Sequence, residues 1–130
     1  MIKIVPFGKE NVEELYQLIK EAWDYYVQDV DPKRVQELLE FYVGDETKEF
    51  WLAYENDKLV GMAEITITES YRYPGEEARL ELLYIRNSVE NYYDVHAALM
   101  DRVFDFLKEQ KIDYIRVDTT LENADLMTTE

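Results

Sequence analysis

A chain of 130 residues with 14 Lys plus Arg against 29 Asp plus Glu carries a formal charge of −15, which excludes an unaided nucleic-acid binder because a polyanion is repelled. At 47% apolar, 33% charged and 14% aromatic, the composition is that of one globular domain spanning residues 1–130. With no cysteine and a single histidine, His96, there is no thiolate or histidine-based metal site and no cysteine nucleophile, so no metal is expected. No basic-then-apolar leader opens the chain and no run approaches the roughly 20 apolar residues that cross a bilayer, so the expectation is a cytoplasmic protein without a membrane partner.

Ile2 to Phe7 alternates briefly and stops at Pro6 and Gly8, which predicts a short strand. Asn11, with Glu14 three residues on, has an N-cap arrangement, and Val12, Leu15, Leu18, Ile19, Ala22, Trp23 and Tyr26 repeat at helical spacing. Asp31-Pro32 places a capping acid before proline at a first helical position; Val35, Leu38, Leu39 and Tyr42 continue the period and Gly44 stands where a C-terminal cap belongs. From Glu49 the period drops to two, with Phe50, Leu52 and Tyr54 on one face and Trp51 and Ala53 on the other, up to a turn at Glu55-Asn56-Asp57-Lys58. Strands are predicted at 59–68 and 78–85, joined by a loop at 71–77, which makes a three-stranded meander. Val95, Leu99, Val103 and Phe106, with Met100, Phe104 and Leu107 beside them, predict a long helix over about 91–110, preceded by polar caps. Ile112 to Thr119 reads as a last strand and Asn123 to Glu130 as the beginning of a helix.

Strand, two helices, three antiparallel strands, long helix, strand, start of helix is an order that resembles the GNAT superfamily of N-acetyltransferases. Leu59-Val60-Gly61-Met62-Ala63 is similar to the family's third strand, Leu80-Glu81-Leu82-Leu83-Tyr84-Ile85 to its fourth, and Asp118 to Asn123 to the segment before its last helix. The resemblance implies an α/β (α+β) fold with a mixed, mainly antiparallel sheet flanked by helices. It further implies acyl transfer from acetyl-CoA to an amine. In the family, a glycine-rich turn after the fourth strand and the N-terminus of the long helix hold the coenzyme A pyrophosphate. That region maps here onto Tyr84, Ile85 and Asn91-Tyr92-Tyr93-Asp94-Val95-His96, with Asn91 in place of the family's Gln or Arg and Asp94 and His96 in place of glycines.

The match breaks at that turn, because no glycine follows Gly75 and residues 87–101 contain Glu90, Asp94 and Asp101 but no Lys or Arg. A carboxylate about 4 Å from one phosphate charge costs on the order of 4 kcal/mol at an effective dielectric of 20, roughly a thousandfold in affinity. Acetyl-CoA is therefore expected to bind weakly or not at all, and the competing role for Asn91 and Asp94 is to cap the long helix with their side chains. The family's tyrosine acid and final two strands have no counterpart in the 130 residues, and Tyr114, on the preceding strand, is no positional substitute. An uncovered strand at 112–119 would invite a second copy, so a homodimer is expected.

Glu81 occupies a strand position that in polyamine-type relatives carries a carboxylate near the substrate amine, where it would take the proton of an ammonium directly or through water; facing solvent or pairing with Arg79 or a Lys are its structural alternatives. His96, the one imidazole, is read as a packing residue or a cap. Tyr92 and Tyr93, with Tyr71, Tyr73 and Tyr84, would surround the mouth between the fourth strand and the long helix, either lining a ligand pocket or an interface, or filling the space of the missing loop and cofactor. Trp23, Phe50 and Trp51 are core. The acidity would draw a cationic amine substrate. Two functions follow: an amine acyltransferase with a divergent loop, or a catalytically inactive module of that fold used for binding or assembly.

Overall fold

Five strands form one sheet in the order β1 (Ile2–Pro6), β2 (Lys48–Glu55), β3 (Lys58–Glu69), β4 (Glu76–Ile85), β5 (Ile115–Val117); the first four are antiparallel neighbours and β5 runs parallel to β4. The structure, a computed structural model, describes residues 1–25, 31–69 and 75–117. Tyr26, residues 71–74 of the expected loop with Tyr71 and Tyr73, and the expectations for 118–130 lie outside the described residues.

Helices α1 (Val12–Tyr25) and α2 (Pro32–Tyr42) cover one face of the sheet and α3 (Tyr92–Glu109) the other. The period-two reading of β2 accounts for both layers. Phe50 and Leu52 join Leu15, Leu18, Ala22 and Leu39 beneath α1 and α2, while Trp51 and Ala53 join Val95, Leu99, Val103 and Phe106 beneath α3. Fully burying a Leu, Val or Phe side chain contributes about 1.5–3 kcal/mol, so these two layers supply most of what holds the helices in place. Gly61 lets β3 pack closely here, since a Cβ there would lie a tight 3.1 Å from both the Tyr84 carbonyl oxygen and Ile85 Cγ1. Phe104, beside the Val103 and Phe106 stripe that meets the sheet, is 46% exposed.

At α1 and α2 the element ends follow the sequence signals with one correction. Asp31 caps α2 by accepting from the Lys33 amide at 3.1 Å, with Pro32 next to it, and Gly44 takes a φ of +81° after the C-terminus. Asn11 does not cap α1. Its Oδ1 accepts from the Gly8 amide at 2.9 Å and closes a 3-10 turn, Lys9–Asn11, that runs straight into the helix, while Glu14 accepts from the Tyr54 hydroxyl at 2.9 Å. The β2–β3 turn has Asn56 and Asp57 at φ of 51° and 65°, the hairpin conformation that matches strand twist.

Helix α3 ends in a Schellman motif, with the Lys111 amide donating to the Lys108 carbonyl at 3.1 Å and the Ile112 amide to the Leu107 carbonyl at 2.9 Å. Lys111 pays for this closure with a φ of 58°. Relieving the left-handed conformation offsets the entropy lost to glycine, so Lys111→Gly is expected to raise stability by about 1 kcal/mol, or roughly 4 °C in Tm. Differential scanning calorimetry tests this, and an unchanged or lowered Tm contradicts it.

On the α3 face, the Arg102 guanidinium stacks 4.4 Å above the Trp51 ring and Phe106 meets the same ring edge-on. Glu49 belongs to this face of β2, where burial pushes its carboxyl above the ordinary carboxylate range, with the Arg102 charge opposing as the smaller effect. A raised native pKa means that the folded state holds the proton more tightly than the unfolded chain does. Glu49 is therefore neutral in its effect on stability below the unfolded pKa and costs stability as pH rises through the native one. Glu49→Gln is expected to stabilise the fold at pH 7 by about 0.5 kcal/mol, with the gain fading as pH falls toward 4.5. Urea midpoints at several pH values give the answer; a gain independent of pH contradicts the cause assigned.

Candidate active site

The middle of β4 is irregular, and its irregularity places the candidate residues. Glu64 faces Leu82 and Ile65 faces Leu80 across the β3–β4 pair, so Glu81 is an extra residue with no partner, a β-bulge. Its effect on the side chains is direct: Leu80 belongs to the layer under α3, whereas Leu82, two residues on, belongs to the layer under α1 and α2. Without the bulge, both leucines would face the same side.

The described pairing of β4 with β5 runs from Ala78 opposite Ile115 to Leu80 opposite Val117, the last described residue. Glu81 follows directly, exposed, with its Oε1 3.7 Å from Arg79 Nε.

Beyond Ile85 the chain turns into α3. Arg86 anchors the turn: its amide donates to the Val60 carbonyl at 2.9 Å, its Nε to Glu21 Oε2 at 2.9 Å and its Nη1 to the Leu59 carbonyl at 3.0 Å. The Tyr84 hydroxyl donates to the other oxygen of Glu21 at 3.2 Å. This clamp of α1 onto the end of β4 was not visible in the sequence, since Glu21 and Arg86 are 65 residues apart and neither sits in a motif.

At the start of α3 the expectation of side-chain capping fails. The Asn91 side chain makes no capping bond; its Nδ2 donates to Glu55 Oε2 at the end of β2, and its Oδ1 is buried without a hydrogen-bond partner. Recruitment by Glu55, from the end of β2, outcompetes the local cap. Asp94 is exposed in the first turn and Glu90 is exposed just before it. The remaining predicted residues divide. Val95 and Ile85 are core, and His96 is buried, in agreement with packing. Tyr92 and Tyr93 meet edge to face at 5.4 Å, with Tyr93 64% exposed. Tyr84 is not with them, because it points into the α1 layer toward Glu21.

The β4 bulge at Glu81 and the first turn of α3 are joined by the short stretch of chain 82–91. A family model described as the acetyltransferase (GNAT) family matches residues 12–127. The chain belongs to the GNAT acetyltransferase family. A search of curated proteins finds no match to the sequence. Among solved structures, the chain is similar to a probable acetyltransferase at 19% identity and a TM-score of 0.86, covering 97% of this chain and 84% of that one. It is similar to a predicted acetyltransferase with acetyl-CoA from Clostridium acetobutylicum at 14% identity and a TM-score of 0.83, covering 99% and 88%. A ribosomal-protein-alanine N-acetyltransferase from Brucella melitensis matches at 13% identity and 0.79, covering 100% and 88%. At these identities the structures establish the GNAT fold, a mixed sheet flanked by helices, as expected from the element order.

The family's cofactor can be tested against the residues present. Backbone geometry fits a pyrophosphate, because the Asn91 side chain leaves the first turn of α3 uncapped and the helix dipole is positive there. Charge opposes it through Glu90 and Asp94, and the nearest cation along the chain, Arg86, is engaged by Glu21 and Leu59. Among the described residues there is no cluster of His, Asp and Glu able to hold a metal, and no helix long and apolar enough to cross a membrane.

Proposed function

We propose that this GNAT-family protein acetylates an amine with acetyl-CoA as donor, and that Glu81 removes the proton from the acceptor. The observation that supports this most is the coincidence at one residue of the β4 bulge and an exposed carboxylate. An ammonium has no lone pair, so the acceptor must lose a proton before its nitrogen attacks. Glu81 is held on a strand rather than a loop and is exposed, so its carboxylate can reach an amine brought to the bulge of β4. When bound, acetyl-CoA supplies the acetyl group as a thioester and leaves as the thiol. The uncapped first turn of α3 would receive its pyrophosphate, with Glu90 and Asp94 keeping the affinity low.

Thiol release from acetyl-CoA, followed against a panel of primary amines and confirmed by the mass of the acetylated product, tests the proposal. Amine-dependent release at millimolar acetyl-CoA is expected. Absence of release with every amine, together with no acetyl-CoA binding by calorimetry, overturns it in favour of a binding or assembly role.

A further inference from the structure

Tyr93 is the large apolar side chain of α3 most open to solvent, at 64%, against 46% for Phe104. It stands in the first turn of the helix, directly before Asp94, with its ring braced edge to face against Tyr92 at 5.4 Å. Helical spacing fixes the flank it occupies. Tyr93, Met100, Phe104 and Leu107 recur at the intervals that keep to one side of a helix, and Phe104 and Leu107 line a groove with Ile112 and Ile115, so this flank faces β5. Arg102, on the opposite flank, lies over Trp51 of β2. The turn around Tyr93 has backbone donors but no cation: Asn91 leaves it uncapped, Glu90 and Asp94 are exposed beside it, and residues 87–101 contain no Lys or Arg. Phosphates alone are held poorly by such a turn. An aromatic ring adds attraction of another kind, because stacking on a base needs no opposite charge and works in an acidic field. Lone exposed aromatics are ordinary on protein surfaces; what sets this one apart is its place beside amides suited to a diphosphate.

We infer that Tyr93 stacks on the adenine of coenzyme A, so that this chain holds its donor more by the base than by the diphosphate. The inference rests on the acetyl-CoA reading above and deepens it at the donor end. With the diphosphate at the amides of the first turn, the ribose that follows carries the base one sugar further out, within reach of a tyrosine rooted in the same turn. Tyrosine presents a flat face with only two side-chain torsions to fix, and the contact with Tyr92 already restrains it. Adenine carries no net charge, so Glu90 and Asp94, which oppose the phosphates, do not oppose the base. Stacking on an aromatic ring strengthens binding by about tenfold or more per base, which recovers part of the roughly thousandfold loss expected from the carboxylates.

Titration calorimetry tests this with coenzyme A, 4′-phosphopantetheine and adenosine 3′,5′-bisphosphate, on the parent chain and on Tyr93→Ala and Tyr93→Trp. Because the side chain is exposed, both variants should unfold at the parent's temperature. Tyr93→Ala should weaken coenzyme A and the bisphosphate about tenfold each and leave phosphopantetheine, which lacks the adenosine, unchanged; Tyr93→Trp should keep or tighten the first two. The tenfold factor should be the same at about 0.05 M and about 0.5 M salt, because stacking is not screened as charge is. In Tyr93→Trp the added indole should lose emission when coenzyme A or the bisphosphate binds and keep it with phosphopantetheine. An unchanged coenzyme A affinity in Tyr93→Ala overturns the stacking and leaves the acetyl-CoA reading standing, as does an equal weakening of coenzyme A and phosphopantetheine. If acetyl-CoA supports no acetylation yet the bisphosphate binds in a Tyr93-dependent manner, the base site stands and the acetylation reading falls. If none of the three ligands binds at millimolar concentration, both fall.

Discussion

Glu81→Gln is expected to lower kcat/KM for amine acetylation at pH 7 by about a hundredfold, at the lower end of what a positioned general base contributes. Glutamine keeps the length and hydrogen-bonding shape of the side chain, so the bulge that separates Leu80 and Leu82 onto opposite faces should survive. What is lost is the proton acceptor. At pH 7 a primary amine with a pKa near 10 is almost entirely protonated, and its free-base fraction rises tenfold per pH unit. The variant's rate should therefore climb with pH and the gap to the parent protein should narrow by pH 9 to 10. If Glu81 only partners Arg79, the substitution will shift KM and the pH profile will stay parallel to that of the parent. The salt bridge alone cannot account for a large loss, since a partly exposed pair of this length is worth at most about 1 kcal/mol.

The layers of this fold were legible because burial imposes a period and the sequence keeps it. Phe50-Trp51-Leu52-Ala53 sorts itself between the two faces of the sheet, and Val95, Leu99, Val103 and Phe106 mark the face of α3, with no help from context. Asp31-Pro32 and Gly44 were equally readable, since caps act within four residues. Glu81 could be singled out as a carboxylate on the fourth strand, but its bulge could not. Leu80-Glu81-Leu82 alternates perfectly, and only pairing with Glu64 and Ile65 shows that the two leucines face opposite sides. Long-range polar contacts defeated the local rules elsewhere. Asn91 is a good capping residue by type, yet Glu55 takes its amide; Tyr84 lies beside the family loop in sequence, yet Glu21 holds its hydroxyl in the α1 layer.

Asp94→Gly is expected to tighten coenzyme A binding about tenfold, and this is the sharpest check on where the phosphates sit. The exposed carboxylate of Asp94 occupies the first turn of α3, where it interacts favourably with the helix dipole and unfavourably with any incoming anion. Removing one charge beside a pyrophosphate recovers about 1.4 kcal/mol if the separation and screening are those of a partly solvated pair, which is the tenfold expected. Removing the Cβ lets the backbone approach more closely. Asp94→Asn separates the two contributions, because it takes away the charge and keeps the side chain. Repulsion also fixes the sign of the salt effect: raising ionic strength screens Glu90 and Asp94, so it should weaken binding to the Gly variant more than to the parent. The same substitution should lower thermal stability, since an acid at a helix N-terminus contributes about 0.3–1 kcal/mol and glycine in a helix costs a similar amount. Tighter binding in a less stable protein is therefore the signature, measured by titration calorimetry and thermal unfolding on the same samples. If both variants leave the dissociation constant unchanged, the first turn of α3 does not face the phosphates, and the low affinity expected from Glu90 and Asp94 loses its cause.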